Sequence, residues 1–486
     1  MRSILVSLWF CAGCGVQAQA ETPPAPPPVE PVVAEPVAPP AEDDAVANVE
    51  EAPAAPAADR TFRVASRDLT VFTKPRKGGV IRGVIHKGHP FEVLGPADGS
   101  DCTGGWAELP SNGFACLDHT EVTTDAPKAQ PELVSYDAPT PEEFWSYMET
   151  GEYSHDQPEA LVPSVYAKRW RRFQGKLYAN LDAWNAGKPP VGALLGGAGN
   201  KYHFTHIVET ERGPVLVRED GQVAALNDVY VYPLSRLEGR DLRKDPVPEG
   251  MMAAWAVDYD ETAVYPRPDL TAEIHHRIAY HTPLLVKKDP VGDGTWYVLP
   301  DALGPGVDGY VEDTIGIKHP VQAPTVPAGV GPDELWIDVE LNQQVIQLFK
   351  GSELVWYTLV STGEAPMGTP RGIYEITDKM ATKTMRSRPD AEDQYMVEDV
   401  PWTIHFKPAY AIHGAYWHWG FGHTASHGCI NMAPKDVKYL WEQIDPHIPD
   451  GWHTSWTTDV SRGTVLQVRR GDAPVTDFRS RVAKAE

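Results

Sequence analysis

One cysteine in this chain stands where a thiol can do chemistry. Ile412-His413-Gly414 is followed by Ser426-His427-Gly428-Cys429-Ile430-Asn431, which puts Cys429 sixteen positions after His413. A thiol is a strong nucleophile only as thiolate, and a nearby imidazole is the usual device that takes its proton at neutral pH. In such a pair Cys429 would attack an amide carbonyl and hold the acyl group as a thioester. His413 would keep the thiol ionised, protonate the departing amine, and later deprotonate an acceptor amine. Gly428, immediately before the nucleophile, suits a loop whose backbone N–H groups face a developing oxyanion. A lone buried cysteine is usually inert, and a lone histidine usually a hydrogen-bonded structural residue. Here the two occur together between glycines, which favours chemistry.

A rival chemistry uses the same stretch. His405, His413, His418, His423, His427 and Cys429 crowd together, and histidine-rich tracts can bind zinc. No His-x3-His pair falls on a helix, because Gly414, Gly420, Gly422 and Gly428 interrupt any helical run. The reading is therefore a thiol site with no metal and no cofactor.

The elements that must position this pair are mostly strands. Leu335–Val339, Gln344–Phe349 and Leu354–Val360 are strongly apolar and β-prone, with turns expected at Asn342-Gln343 and Lys350-Gly351. Ser361-Thr362-Gly363 and Gly368-Thr369-Pro370-Arg371-Gly372 follow, and Thr464–Val468 reads as a closing strand. Pro434–Ile444 places Val437, Leu440, Trp441 and Ile444 on one face of a short helix that starts at a proline and stops before Pro446.

Strand, Ser-Thr-Gly, loop, Thr-Pro-Arg-Gly, strand, and then Ser-His-Gly-Cys resemble the L,D-transpeptidases of the YkuD type, over about 334–470. The resemblance implies a mainly β catalytic fold, a β-sandwich with a short helix, acting on peptidoglycan stem peptides without a cofactor. It implies Cys429 and His413 as catalytic residues, with the Gly414 carbonyl holding the second imidazole nitrogen. It makes the N–H groups of His427, Gly428 and Cys429 candidates for the oxyanion hole, with Ser426 and His427 shaping the loop. Asn431 stands where many members carry arginine and others asparagine, and is a candidate to grip the substrate. Tyr410, Tyr416, Trp417 and His418 are candidates to line the cleft, and packing is the plainer role for them. The family also includes L,D-carboxypeptidases and protein-anchoring enzymes, and a silent domain would leave a cell-wall-binding protein.

The rest of the 486 residues divides into several segments, since one core rarely grows so large. Residues 1–20 read as an export signal: Arg2, an apolar run from Ile4 to Val16, and Ala18-Gln19-Ala20. Cys11-Ala12-Gly13-Cys14 also resembles a lipobox, which would make Cys14 a lipid anchor and the only link to a membrane. Residues 21–60 are a Pro/Ala-rich tether expected to be disordered. Segments 61–125 and 249–322 repeat one another weakly. Trp106-Ala107-Glu108-Leu109-Pro110 answers to Trp296-Tyr297-Val298-Leu299-Pro300, and both segments resemble small SH3-like β-barrels. Residues 126–248 are a mixed segment, with a helix start at Pro141–Trp145 and a basic-aromatic cluster, Lys168–Arg172. That cluster reads first as a solvated helix face and second as a glycan contact. Residues 323–333 form a linker and 471–486 a tail.

The net charge of −24 argues against nonspecific nucleic-acid binding. The signal places the protein in the periplasm or cell envelope, where an even set of cysteines pairs. If Cys11 and Cys14 leave with the signal, Cys102 and Cys116 lie close enough in sequence to close a short loop, and Cys429 is the odd thiol. Three unpaired buried cysteines are the alternative. Nothing in the sequence sets the oligomeric state.

Overall fold

Two β-sheets face each other across the apolar side chains of the last third of the chain. The computed structural model describes residues 60–479 apart from 135–159, 170–173, 198, 315, 322–324, 388–393 and 459–461. The export signal, Cys14, the tether, the Pro141–Trp145 helix start and the end of the tail lie outside the described residues.

The first sheet orders Arg240–Asp241, Glu353–Leu359, Val345–Lys350, Leu335–Glu340, Val465–Arg469 and Gly372–Glu375. Leu335–Glu340 pairs in parallel with Val465–Arg469 and antiparallel with Val345–Lys350. The chain turns between them at Gln344 (φ 51°) and, one hairpin later, at Gly351 (φ 54°). A side chain at Gly351 would strike Pro332 O at 2.3 Å, so only glycine fits there.

The second sheet is built on the long strand Met396–Lys407, which pairs with Asp378–Arg386 and Tyr410–Gly414. Tyr410–Gly414 in turn pairs in parallel with Ile430–Met432. Ile337, Val339, Ile346 and Leu348 from the first sheet meet Ile404, Ile412, Ile430 and Met432 from the second. Each such fully buried side chain contributes about 1.5–3 kcal/mol.

The helix Pro434–Gln443 lies against this core with Val437, Leu440 and Trp441 buried, and Ile444 buried just beyond it. Its last carbonyls lack intrahelical partners. The Lys379 ammonium supplies them, donating to Trp441 O at 2.5 Å and Ile444 O at 2.7 Å.

The accessory segments are docked onto this sandwich, and the described residues fall in one compact unit. In residues 61–125 the hairpin Trp106–Leu109/Gly113–Cys116 leads through Leu69–Phe72 to Ile81–Ile85, which pairs with Thr454–Trp456 of the second sheet. Thr61–Ala65, Pro90–Val93 and Thr120–Thr123 form a separate three-stranded sheet. Residues 249–321 are likewise three small sheets, with the hairpin Trp296–Gly304/Val307–Glu312 among them. Neither closes into the barrel expected from the alternating runs: the last strand does pair with the first, Thr120–Thr123 with Thr61–Ala65 and Ile317–Lys318 with Met251–Ala256, but the strands between them are divided among separate sheets.

The middle segment is mostly β. Asn200–Phe204 runs parallel to Met396–Lys407, and Val215–Val217 turns at Gly221 into Val223–Ala225. Lys168 and Arg169 lie on the strand Val165–Arg169, so this part of the basic cluster is not a helix face. Trp170, Arg171 and Arg172 lie outside the described residues.

Candidate active site

The parallel pair Tyr410–Gly414 and Ile430–Met432 sets the geometry. His413 lies opposite Asn431 and Ile412 opposite Ile430, which brings Ala411 level with Cys429. Side chains two apart on a strand share a face. His413, Asn431 and Cys429 therefore point to one side of the sheet, away from the buried Ile412 and Ile430.

His413 is 2% exposed. Its Nδ1–H donates to Gly414 O at 3.3 Å, which fixes the proton on Nδ1 and leaves Nε2 as an acceptor. Burial lowers its pKa to about 4, with His405 adding to the shift and the Gly414 carbonyl opposing it. Cys429 is half-buried and is the one free cysteine among the described residues. Burial pushes its thiol up, while the Ala411 backbone and Lys383 pull it down. Burial thus favours the uncharged form of both groups. Both shifts favour a resting thiol beside a neutral imidazole, so the thiol would ionise as His413 takes its proton during attack.

The nucleophile loop is braced by the two motifs upstream. Gly428 has φ 112°, and a side chain there would meet Tyr410 Cε1 at 2.6 Å. Thr369 Oγ1 donates to Gly428 O at 2.9 Å and accepts from Gly363 N at 2.8 Å. Ser426 N donates to Thr362 O at 3.1 Å. Ser426 Oγ donates to Cys429 O at 2.5 Å and accepts from Gly428 N at 3.1 Å. That last bond occupies the Gly428 N–H, so of the three N–H groups read as an oxyanion hole, those of His427 and Cys429 are the better candidates. His427 itself is exposed.

The remaining sequence candidates separate. Tyr410 packs against the Gly428 backbone, beside the nucleophile. The Trp417 ring centre is 5.6 Å from that of His413. Asn431 Nδ2 donates to His418 Nε2 at 2.9 Å, and burial keeps His418 neutral, with its pKa at about 3. Tyr416 is 1% exposed, stacks on Tyr166 with ring centres 3.5 Å apart, and donates its hydroxyl to Glu398 O at 2.9 Å. It packs the middle segment onto the sandwich. Four of the five histidines weighed as metal ligands engage separate partners: His405 meets Asp378, His413 meets Gly414, His418 meets Asn431, and His423 meets Val257.

Sequence reasoning missed an electrostatic chain beside the thiol. Asp378 Oδ2 accepts from His405 Nδ1 at 2.6 Å, and Lys383 Nζ donates to His405 Nε2 at 2.9 Å. Asp378 and Lys383 carry no motif, and only the pairing of their strand with Met396–Lys407 brings them to His405.

Far from this site, Cys102 and Cys116 are joined by a disulfide with Cα atoms 5.6 Å apart.

Residues 334–469 match the model of the YkuD family, the L,D-transpeptidase catalytic domain. Among solved structures, the catalytic domain of an E. faecium L,D-transpeptidase is 22% identical, covering 28% of this chain and 98% of that one, with TM-score 0.23. An L,D-transpeptidase from Mycobacterium smegmatis is 17% identical over 38% of this chain and 90% of that one, with TM-score 0.23. One from Stackebrandtia nassauensis is 24% identical over 29% and 60%, with TM-score 0.21. No curated protein matches the chain. By the family match, a YkuD-type catalytic domain occupies 334–469.

Proposed function

We propose that this chain is an exported peptidoglycan L,D-transpeptidase. Cys429 Sγ attacks the carbonyl before the terminal D-residue of a tetrapeptide stem. Its proton passes to His413 Nε2 and on to the leaving amine, so the C–N bond breaks as the thioester forms. An amine on a neighbouring stem then attacks the thioester. It yields its proton to His413, which returns it to the departing sulfur. The Lys383 ammonium, held on His405, whose other nitrogen is bound to Asp378, favours ionisation of the thiol during attack.

One observation carries this reading. The parallel register puts Cys429 and His413 on one face, with Nε2 free to accept, inside the stretch that matches the family. In the same reading 1–20 directs export, 21–60 spans from the membrane or signal to the folded part, and 61–125 and 249–322 are small β modules that attach the enzyme to the wall.

The test is incubation with disaccharide-tetrapeptide and mass analysis of the products. A cross-linked dimer, with release of the terminal residue, is expected. Cys429→Ala should cost at least about a thousand-fold in rate, the scale for removing a covalent nucleophile. Tripeptide alone would make it an L,D-carboxypeptidase, and a tripeptide joined to a protein amine an anchoring enzyme. No product, with no alkylator or carbapenem adduct on Cys429, would leave a wall-binding protein. Because the active pair is thiol and neutral imidazole, kcat/KM should hold as pH falls through 6 and drop only as His413 protonates near pH 4.

A further inference from the structure

A cavity of about 960 Å³ opens beside the active site, and no single segment of the chain builds it. The middle segment gives Tyr230 and Tyr232, residues 249–321 give Tyr259 and Tyr280, and the catalytic domain gives Trp417 and Trp419. Trp417 is the ring that lies over His413, so the inner wall of the cavity ends at the catalytic pair. The opposite wall is open: Tyr259 is 59% exposed, yet its ring is held by stacking on Tyr280 at 4.9 Å and His423 at 4.5 Å. Tyr280 is itself pinned, donating its hydroxyl to Phe421 O at 2.7 Å. The charged lining is Lys168 and Arg236 against Glu238.

We propose that this cavity is a saccharide subsite that seats the N-acetylated disaccharide of a peptidoglycan strand, with its peptide stem directed toward Cys429. The proposal deepens the transpeptidase reading and rests on it for the identity of the polymer. Three features select the sugar. Rigid, pre-set aromatic faces suit the C–H face of a pyranose ring and order it at little entropic cost. A stem of short charged residues offers few apolar faces to so many rings. The volume lies within the range of small-molecule sites and holds two sugar rings with room for the start of a stem. The two cations suit the acidic conjugate that a sugar and its stem make together. The subsite exists only while all three segments are docked, which gives the docking of 160–248 and 249–321 a catalytic consequence.

The test uses the peptide-free disaccharide of N-acetylglucosamine and N-acetylmuramic acid, titrated into full-length Cys429→Ala protein by calorimetry. Saturable one-to-one binding is expected. Tyr259→Ala should weaken it about ten-fold, the scale of losing one aromatic contact to the bound sugar. Tyr259→Phe, which keeps the ring, should bind like the parent, and this exposed position tolerates both changes without threatening the fold. No saturable binding at several millimolar, or unchanged affinity in Tyr259→Ala, overturns the proposal. So does binding of the free tetrapeptide, weakened by Tyr259→Ala, with no binding of the sugar: the cavity then belongs to the stem. The two readings fail separately. Acylation of wild-type Cys429 by stem without sugar binding sinks the subsite alone. Sugar binding lost in Tyr259→Ala, with no acylation by any stem, sinks the transpeptidase alone.

Discussion

Both β modules carry the same hairpin, Trp106–Leu109 with Gly113–Cys116 in one and Trp296–Gly304 with Val307–Glu312 in the other. Leu109 faces Gly113 just as Leu299 faces Gly309. Yet they meet the catalytic sandwich differently. Residues 61–125 join it through backbone: Gly83 and Val84 pair with Ser455 and Thr454, and Arg82 donates to Trp456 O at 2.6 Å. Trp452 fills the hollow left by two glycines, since a side chain at Gly83 or Gly113 would meet its ring at 2.4 or 2.7 Å. Residues 249–321 instead grip the loop that leads to the nucleophile. Tyr280 and His281 both donate to Phe421 O, at 2.7 and 2.9 Å, and His423 donates to Val257 O at 2.6 Å. Phe421 and Val257 then share a core with Leu359 of the first sheet. One module is fastened to the frame and the other to the working loop. Similar modules do not imply similar roles.

Matched core deletions put the largest strain on that contrast. Phe421→Ala and Trp452→Ala each remove a fully buried ring and should each cost about 3–5 kcal/mol in thermal or denaturant unfolding. They should part company in the rate at which iodoacetamide alkylates Cys429 in still-folded protein. Phe421→Ala should change that rate several-fold, because the loop it anchors carries the thiol. Trp452→Ala should leave it within about two-fold, a scale well below one hot-spot contact. Equal effects would mean that both docks reach the nucleophile.

Opening the disulfide is a milder and more local blow to the first module. Cys102 and Cys116 are 14 residues apart, and a loop of that length is worth about 3 kcal/mol through the unfolded chain. The Cys102→Ser/Cys116→Ser variant should therefore unfold residues 61–125 at lower temperature, seen as faster amide exchange in Ile81–Ile85, with Cys429 alkylation unchanged. Loss of exchange protection in 420–429 as well would contradict a frame-only role for this module.

Much of the site was legible because local rules set it. The helix Pro434–Gln443 follows from a proline start and an apolar face, and Gly428 from a turn that admits no side chain. Ser361-Thr362-Gly363 and the Thr369 motif were visible as words, but their work was not: they clamp the nucleophile loop through Thr369 and Ser426. What stayed hidden depends on pairing across long separations. Asp378 and Lys383 reach His405 only through strand register, and Tyr416 turns from the cleft because Tyr166, 250 positions earlier in the chain, stacks on it. Barrel closure failed as an expectation for the same reason. Alternation shows which strands have a buried face, but whether all the strands join one continuous sheet is a non-local matter.

Acid offers the finest test, because each dock holds a histidine that burial keeps neutral. His453, stacked on His86 with ring centres 3.7 Å apart, has its pKa lowered to about 3 by burial and then by His86 and His89, with Asp68 opposing. His281 is lowered to about 4 by burial and His423, with the Phe421 carbonyl opposing. Both folded values lie below the ordinary 6.5. The unfolded chain therefore binds the extra protons, and stability is full above about pH 6.5 and lost as pH falls toward 4. Unfolding temperature should fall across that window, and His453→Gln and His281→Gln should each flatten the slope. If the frame dock and the loop dock are independent, the double variant should flatten it by the sum of the two, within about 0.5 kcal/mol. A larger departure from additivity would show that the two docks communicate through the sandwich, and that the module far from the thiol also bears on its loop.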